Sequence, residues 1–255
     1  MAGTILVRDM LWRASTQLTD TAPQFTRYTQ FELVTWLNDA QRAIAKLMPS
    51  ACARMDAIKL KAGARQTVDV IAAADVLPED GSTATSAVHG NAIQDVICLM
   101  GADGLTRGNA LHLFDREVLD RVVPGWAAQS GSPRQYAVDG RNPKVFWLSP
   151  GIAAGATLWA LVSYLSDPAT IPTSGDYSWT GSDTTKLSVD DVNSDDVLNY
   201  ILARAMLKDA EYAAGASLAQ GYSQAFINSM NSRVAAATGV NPNLQTLPNA
   251  PSTPA

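Results

Sequence analysis

Apolar residues recur at helical spacing near both ends of the chain and at strand spacing between them. Val7, Met10, Leu11, Ala14 and Leu18 fall on one face of a first helix predicted over residues 4–18. Pro23 marks the loop that follows. The strongest signal is "YTQFELVTWLNDAQRAIAKLMP", residues 28–49. Leu33, Leu37, Ala40, Ile44 and Leu47 step by 4-3-4-3, which predicts one continuous buried seam. Thr29 and Glu32 stand at capping-box spacing, where each side chain can reach the other's backbone N–H. Lys46 suits the negative end of the helix dipole. Pro49 stops the winding, because the residue before a proline disfavours the helical region.

From about Ala57 the period changes to two. "AIKLKAGARQTVDV" alternates around Ala-Gly and reads as a hairpin. "AIQDVICLM" is a strand with an apolar core, and "ALHLF" a shorter one. Asp115 is placed to cap a short helix, "REVLDRVV", ended by Pro124-Gly125. "RQYAVDGRNPKVFWLSP" is the clearest hairpin, with two alternating runs around Asp139-Gly140-Arg141-Asn142-Pro143. "ATLWALVSYLS" supplies another strand. Residues 167–186 form a long polar loop.

Helices return near Ser194. Leu198, Ile201, Leu202 and Ala205 make a stripe running to about Tyr212. A last helix covers 216–238, with Leu218, Tyr222, Ala225, Phe226 and Met230 inward. Residues 234–255 carry no charge and hold Pro242, Pro248, Pro251 and Pro254. Such a segment builds no core: it is either disordered or an arm that docks on something. The simplest way to bury four amphipathic stripes is against one another. The expected fold is therefore α+β: an antiparallel four-helix bundle from residues 1–55 and 191–238, an inserted antiparallel β-rich domain over 56–190, and an extended C-terminal arm, 239–255.

Composition narrows the function. Hydrophobic residues make up 47% of the 255 and charged residues 17%, which is globular and not disordered. A net charge of −5 offers no basic excess to grip a phosphate backbone. Cys52 and Cys98 sit in apolar runs and read as buried free thiols, which points weakly to a reducing compartment. No signal peptide is expected, because Arg8 and Asp9 interrupt what would be its apolar stretch. The long uncharged window 145–166 approaches a membrane span in length. Pro150, Gly151 and Gly155 cut it, and its aromatic and β-branched flanks read as two strands.

The candidate chemistry is thin. His89 and His112 are the only histidines and read as structural or surface residues. Asp191, Asn193 and Asp195 begin a D-x-N-x-D calcium pattern. Asp196 then stands where that loop needs glycine, and Leu202 where it needs glutamate. Acids at the start of the helix explain the run better. Asp115, Glu117 and Asp120 share one short helix and read as a solvated face. Hydrolytic carboxylates come from separate elements facing a cleft. No cofactor, metal or enzyme activity is expected.

Two segments carry a resemblance: "YTQFELVTWLNDAQRAIAKLMPSA" (28–51) and "VLNYILARAMLKDAEYAAGASLAQGYSQAFINSM" (197–230). Between them come "DREVLD", "RQYAVDGRNPKVFWLSP" and a strand ending at Tyr164, in that order. The set, covering most of residues 1–240, resembles the head-to-tail adaptor proteins of short-tailed phages. The resemblance implies a ring, commonly of twelve copies, between the portal and the tail nozzle or tube, at the head–tail junction of a virion assembled in host cytoplasm. It implies self, portal and tail partners, with fibres left open. DNA passes through the lumen without specific binding, and no membrane is involved. It also implies that the arm reaches the portal, with Leu244 and Leu247 as its apolar contacts. Trp36, Gln41 and Arg42 are expected to meet a neighbouring subunit. The competing expectations are a tail accessory or binding module that forms no ring, and a hydrolase using scattered carboxylates.

Overall fold

The alternation from Ala53 onward does build strands, but their pairing is not the local one expected. The computed structural model describes residues 3–79, 81–84, 86–209 and 213–240. The chain divides into two compact units. One runs from Pro49 to Ala169, and the other takes the two flanks, through Met48 and from Thr170. Residues 170–190, read from sequence with the β-rich middle, thus fall in the helical unit by contact.

In the first unit, strands β1 (Ala53–Lys59), β2 (Gly63–Thr67), β3 (Val76–Pro78), β4 (Gly90–Met100), β5 (Arg107–Ala110), β6 (His112–Leu113), β7 (Gln135–Val138), β8 (Val145–Ile152) and β9 (Trp159–Ser166) form two sheets. Their orders are β3-β1-β9-β4-β5 and β2-β8-β7-β6. All pairings are antiparallel except β6 with β7. β1 and β2, expected as a hairpin, join different sheets, so the chain crosses from one layer to the other at Ala62-Gly63. The β7–β8 hairpin forms as read, with Val138 opposite Phe146. The uncharged window 145–166 holds β8 and β9, and no helix among the described residues is long and apolar enough to cross a membrane.

The sheets face one another over a shared core, and Ala57, Cys98, Met100, Trp159 and Leu161 form a second apolar cluster apart from it. Ile58, Val96, Val162 and Tyr164 enter the shared core from one sheet, and Tyr136, Phe146, Leu148 and Ile152 from the other. Within it the Tyr164 hydroxyl donates to Asp56 Oδ2 at 2.5 Å, and Arg54 Nε donates to the same oxygen at 2.9 Å. A carboxylate buried this deeply needs both partners. Burial, then the bond to Asp56, pushes the Tyr164 phenol far above its ordinary value. Cys52 and Cys98 are free and buried, and burial raises both thiols. Helix α3 (Arg116–Val122) is capped by Asp115, whose side chain accepts from the Glu117 N–H at 2.8 Å.

The second unit holds α1 (Val7–Gln17), α2 (Gln30–Leu47), α4 (Ser194–Lys208) and α5 (Ala213–Val240). The expected antiparallel four-helix bundle is not formed. The described residues hold five helices against nine strands in two sheets, a mostly β-rich chain. The helices do not close on one another because irregular chain does part of their work. α4 is the common partner on which α1, α2 and α5 pack. Ile171 and Tyr177, from the segment read as a polar loop, and Leu187 and Val189, just after it, are buried. That segment is stitched to α2 by side-chain amides. Asn38 exchanges two bonds with the Ile171 backbone, both 2.9 Å, and Gln30 reaches Gly175 O at 2.6 Å.

The capping box of α2 is present in both directions. Its seam is buried from Leu33 to Ile44, but Leu47 is 46% exposed. A 3.5-residue repeat drifts about 20° per heptad on a straight helix, so two heptads carry Leu47 off the buried face. α5 also differs from expectation. Its inward positions are Gly215, Ala219, Phe226 and Met230, while Leu218 and Ala225 face solvent. Gly215 lies against the carbonyls of Met206 and Asp209, where an added Cβ would be crowded at 3.0 Å. The small residues, not Leu218, therefore set the register.

Candidate interaction surface

An α-helix turns about 100° per residue, so Trp36, Gln41 and Arg42 leave α2 in three directions. Trp36 is half-buried, edge-on to Tyr28 with ring centroids 6.4 Å apart. Arg42 is exposed, paired with Asp39 at 3.2 Å and reaching Thr170 Oγ1 at 3.4 Å. Gln41, expected at a subunit contact, has no exposed surface. Its Oε1 accepts from the Ser188 N–H at 2.7 Å, so its place is inside the subunit. A glutamine beside the apolar seam looks like surface until the covering segment is known. Leu244 and Leu247 lie outside the described residues.

Beside Trp36 the start of α2 is locked to the end of α4. The Tyr28 hydroxyl donates to Asp209, and Arg27 pairs with that carboxylate at 2.8 Å. Lys208 Nζ meets Glu32, the capping-box acid, at 2.8 Å. Burial, then the bond to Asp209, pushes the Tyr28 phenol up to about 12. The Tyr28 hydroxyl in turn holds Asp209 below the usual carboxylate range, and Lys208 does the same for Glu32. These groups fasten helices together, and each is committed to a partner.

Most of the candidate carboxylates are likewise committed. Asp115 caps α3, and Asp120 accepts from Trp126 Nε1 at 2.6 Å and pairs with Arg116. Asp191 accepts from the Thr4 and Ile5 N–H groups, which tethers the chain start. Asp195 pairs with Arg13 at 2.7 Å and Asp196 with Arg233 at 3.3 Å. His89 and His112 are both exposed. Among the described residues no three His, Cys, Asp or Glu side chains gather as a metal site.

Sequence reasoning missed the most conspicuous surface feature. Trp12 of α1 and Trp179 of the 170–190 segment stack, with centroids 4.9 Å apart and planes inclined by 29°. Trp179 stays 53% exposed. The one available signal was a tryptophan within the polar run "DYSWTGS". Other exposed apolar side chains are Phe31 on α2, Leu218 and Ile227 on α5, and Val118 and Val122 on α3.

Both units leave apolar side chains exposed, Val118 and Val122 on one and Trp179, Phe31 and Ile227 on the other. The class to which this points is structural and assembling. The chain belongs to the SU10 adaptor protein family, whose model matches residues 6–246. It is accordingly a phage adaptor, a structural component of the virion that engages portal and tail components in general. No curated protein matches the chain.

Proposed function

We propose that this adaptor closes into a ring, of twelve copies, between the portal and the tail nozzle or tube, with the genome passing through its lumen. The observation that carries the reading is the family match across residues 6–246. The surface supports it. A ring needs heterologous contacts between two unlike patches that close by rotation. Arg42, with the half-buried Trp36 a third of a turn away, is exposed on α2, and Ile227 is exposed on the outer face of α5. A chain of net charge −5 suits a lumen that repels rather than holds DNA. The segment 239–255 is the proposed portal-binding arm, with Leu244 and Leu247 as its apolar contacts. Repetition around a ring would offset the ordering cost of each arm by avidity.

Native mass spectrometry and electron microscopy of the purified chain, alone and with portal, test this. Twelvefold rings, formed alone or on mixing, are expected, and Trp36→Ala with Arg42→Glu should shift the protein towards monomer. A protein that stays monomeric with portal present overturns the ring. Deleting 239–255 should weaken portal attachment and leave the fold intact. Unchanged attachment would remove the arm from the proposal.

A further inference from the structure

The stacked Trp12–Trp179 pair is a prebuilt apolar platform. Trp179 is held by its backbone N–H, which donates to Gln24 Oε1 at 2.9 Å. Arg8 pins the same segment by donating to the Gly181 carbonyl at 2.8 Å. Trp12 is fixed on α1, where the next residue, Arg13, is paired with Asp195. An indole held this firmly yet half in water marks a contact site, because large rigid aromatics bind at little entropic cost.

The chain itself contains a ligand of fitting chemistry. Residues 241–255, "NPNLQTLPNAPSTPA", are uncharged and hold four prolines. Proline-containing segments favour the extended polyproline II form and dock on exposed aromatic rings. They also begin in the right place. α5 runs back along α4, starting against Met206 and Asp209 and reaching the first turn of α4 at Arg233. Arg233 donates there to Asn193 Oδ1 at 2.9 Å and to the Val192 carbonyl at 2.5 Å. That same turn anchors Arg13, the neighbour of Trp12. From Arg233 to the helix end is about 10 Å of rise. Fifteen residues in polyproline II form then span about 45 Å.

We propose that in the unassembled subunit residues 241–255 dock on the Trp12–Trp179 platform of their own chain. The segment is parked in cis, and an assembly partner must displace it. Docking in cis stands apart from the adaptor reading; only the displacement by an assembly partner rests on it.

A spin label at Ser252→Cys in the full chain tests the proposal, since buried Cys52 and Cys98 are shielded from labelling. Indole N–H signals, assigned through Trp12→Phe and Trp179→Phe, are the readout. Broadening of the Trp12 and Trp179 signals several-fold beyond that of Trp36, at the other end of α4, is expected, and Trp179→Ala should abolish the excess at Trp12. No excess, or an excess unchanged by Trp179→Ala, overturns the proposal. Mixing spin-labelled chains with isotope-labelled, spin-free chains should leave the indoles sharp. Broadening in that mixture would mean that a second copy supplies the segment, and would overturn docking in cis.

Discussion

α4 and α5 pack along one another, yet they differ in sequence and in work: α4 holds two alanines in 15 residues and α5 eight in 28. In 15 residues α4 buries Asp196, Val197, Leu198, Ile201, Leu202, Ala203 and Ala205. α5 is 28 residues long and, among its described side chains, buries only Gly215, Ala219, Phe226 and Met230. Its single charge, Arg233, is spent on the clasp to α4. Three helices surround α4, whereas α5 rests mainly on α4. α5, with Gly215, Gly221 and Gly239, has the weaker helix propensity, and fewer apolar surfaces reach it from elsewhere in the chain. Folding free energy should therefore concentrate in α4, and α5 should hold surface in reserve.

The largest test of that contrast is Ile201→Ala. Ile201 is fully buried, so truncation should cost about 2–5 kcal/mol in denaturant unfolding through lost burial and a cavity. An effect no larger than that of a surface change on α5 would erase the distinction. Next comes the clasp. Arg233→Ala leaves the Asp196 carboxylate, 2% exposed, without its cation. Breaking fully buried pairs costs about 3–5 kcal/mol. With Arg233 partly solvated, about 2 kcal/mol is expected, and adding Asp196→Asn should recover much of it. A double-mutant cycle without coupling would show that α5 is not held there.

Tyr28→Phe probes how α4 is tied to α2. Loss of the bond to Asp209 should cost about 1 kcal/mol. The phenol is raised to about 12 in the folded chain against an ordinary 10. Its contribution is thus whole below pH 10. It declines as pH rises through 10 to 12, where the unfolded chain releases its proton first. Unfolding midpoints measured across that range should fall less steeply in Tyr28→Phe than in the parent. Tyr136, also pushed up to about 12, keeps part of the slope. Identical slopes would mean that the Tyr28 phenol is not shielded.

Local grammar was legible in the sequence and long-range partnership was not. The capping box of α2, the Asp115 cap, the β7–β8 turn and the strands β4 and β9 are written in neighbouring residues. Each was readable because a cap or an alternation is satisfied within a few positions. Which sheet takes β1 and which takes β2 is decided by strands far along the chain. The bundle failed as an expectation for the same reason. Stripes announce that they need cover but not what supplies it, and Ile171, Tyr177, Leu187 and Val189 follow no period that would flag them. At the candidate surface, Trp36 and Arg42 were accessible to reasoning from α2 alone. The burial of Gln41 depends on Ser188, and the Trp12 stack depends on Trp179, residues that no local pattern links.

Ile227→Ser carries the smallest effect on folding and the sharpest bearing on the comparison. The side chain is 44% exposed on α5, so the unfolding midpoint should move by no more than about 0.5 kcal/mol. If the outer face of α5 is where the next subunit lies, the same change removes an apolar contact from every junction of the ring. A modest interface contact of about 1.4 kcal/mol weakens each junction about tenfold. The repeated losses should move the population from ring to monomer at a protein concentration where the parent is assembled. Native mass spectrometry at matched concentrations reads this directly. A stable monomeric variant would establish α5 as surface held for assembly. Rings undiminished beside unchanged stability would leave the exposed length of α5 without that role.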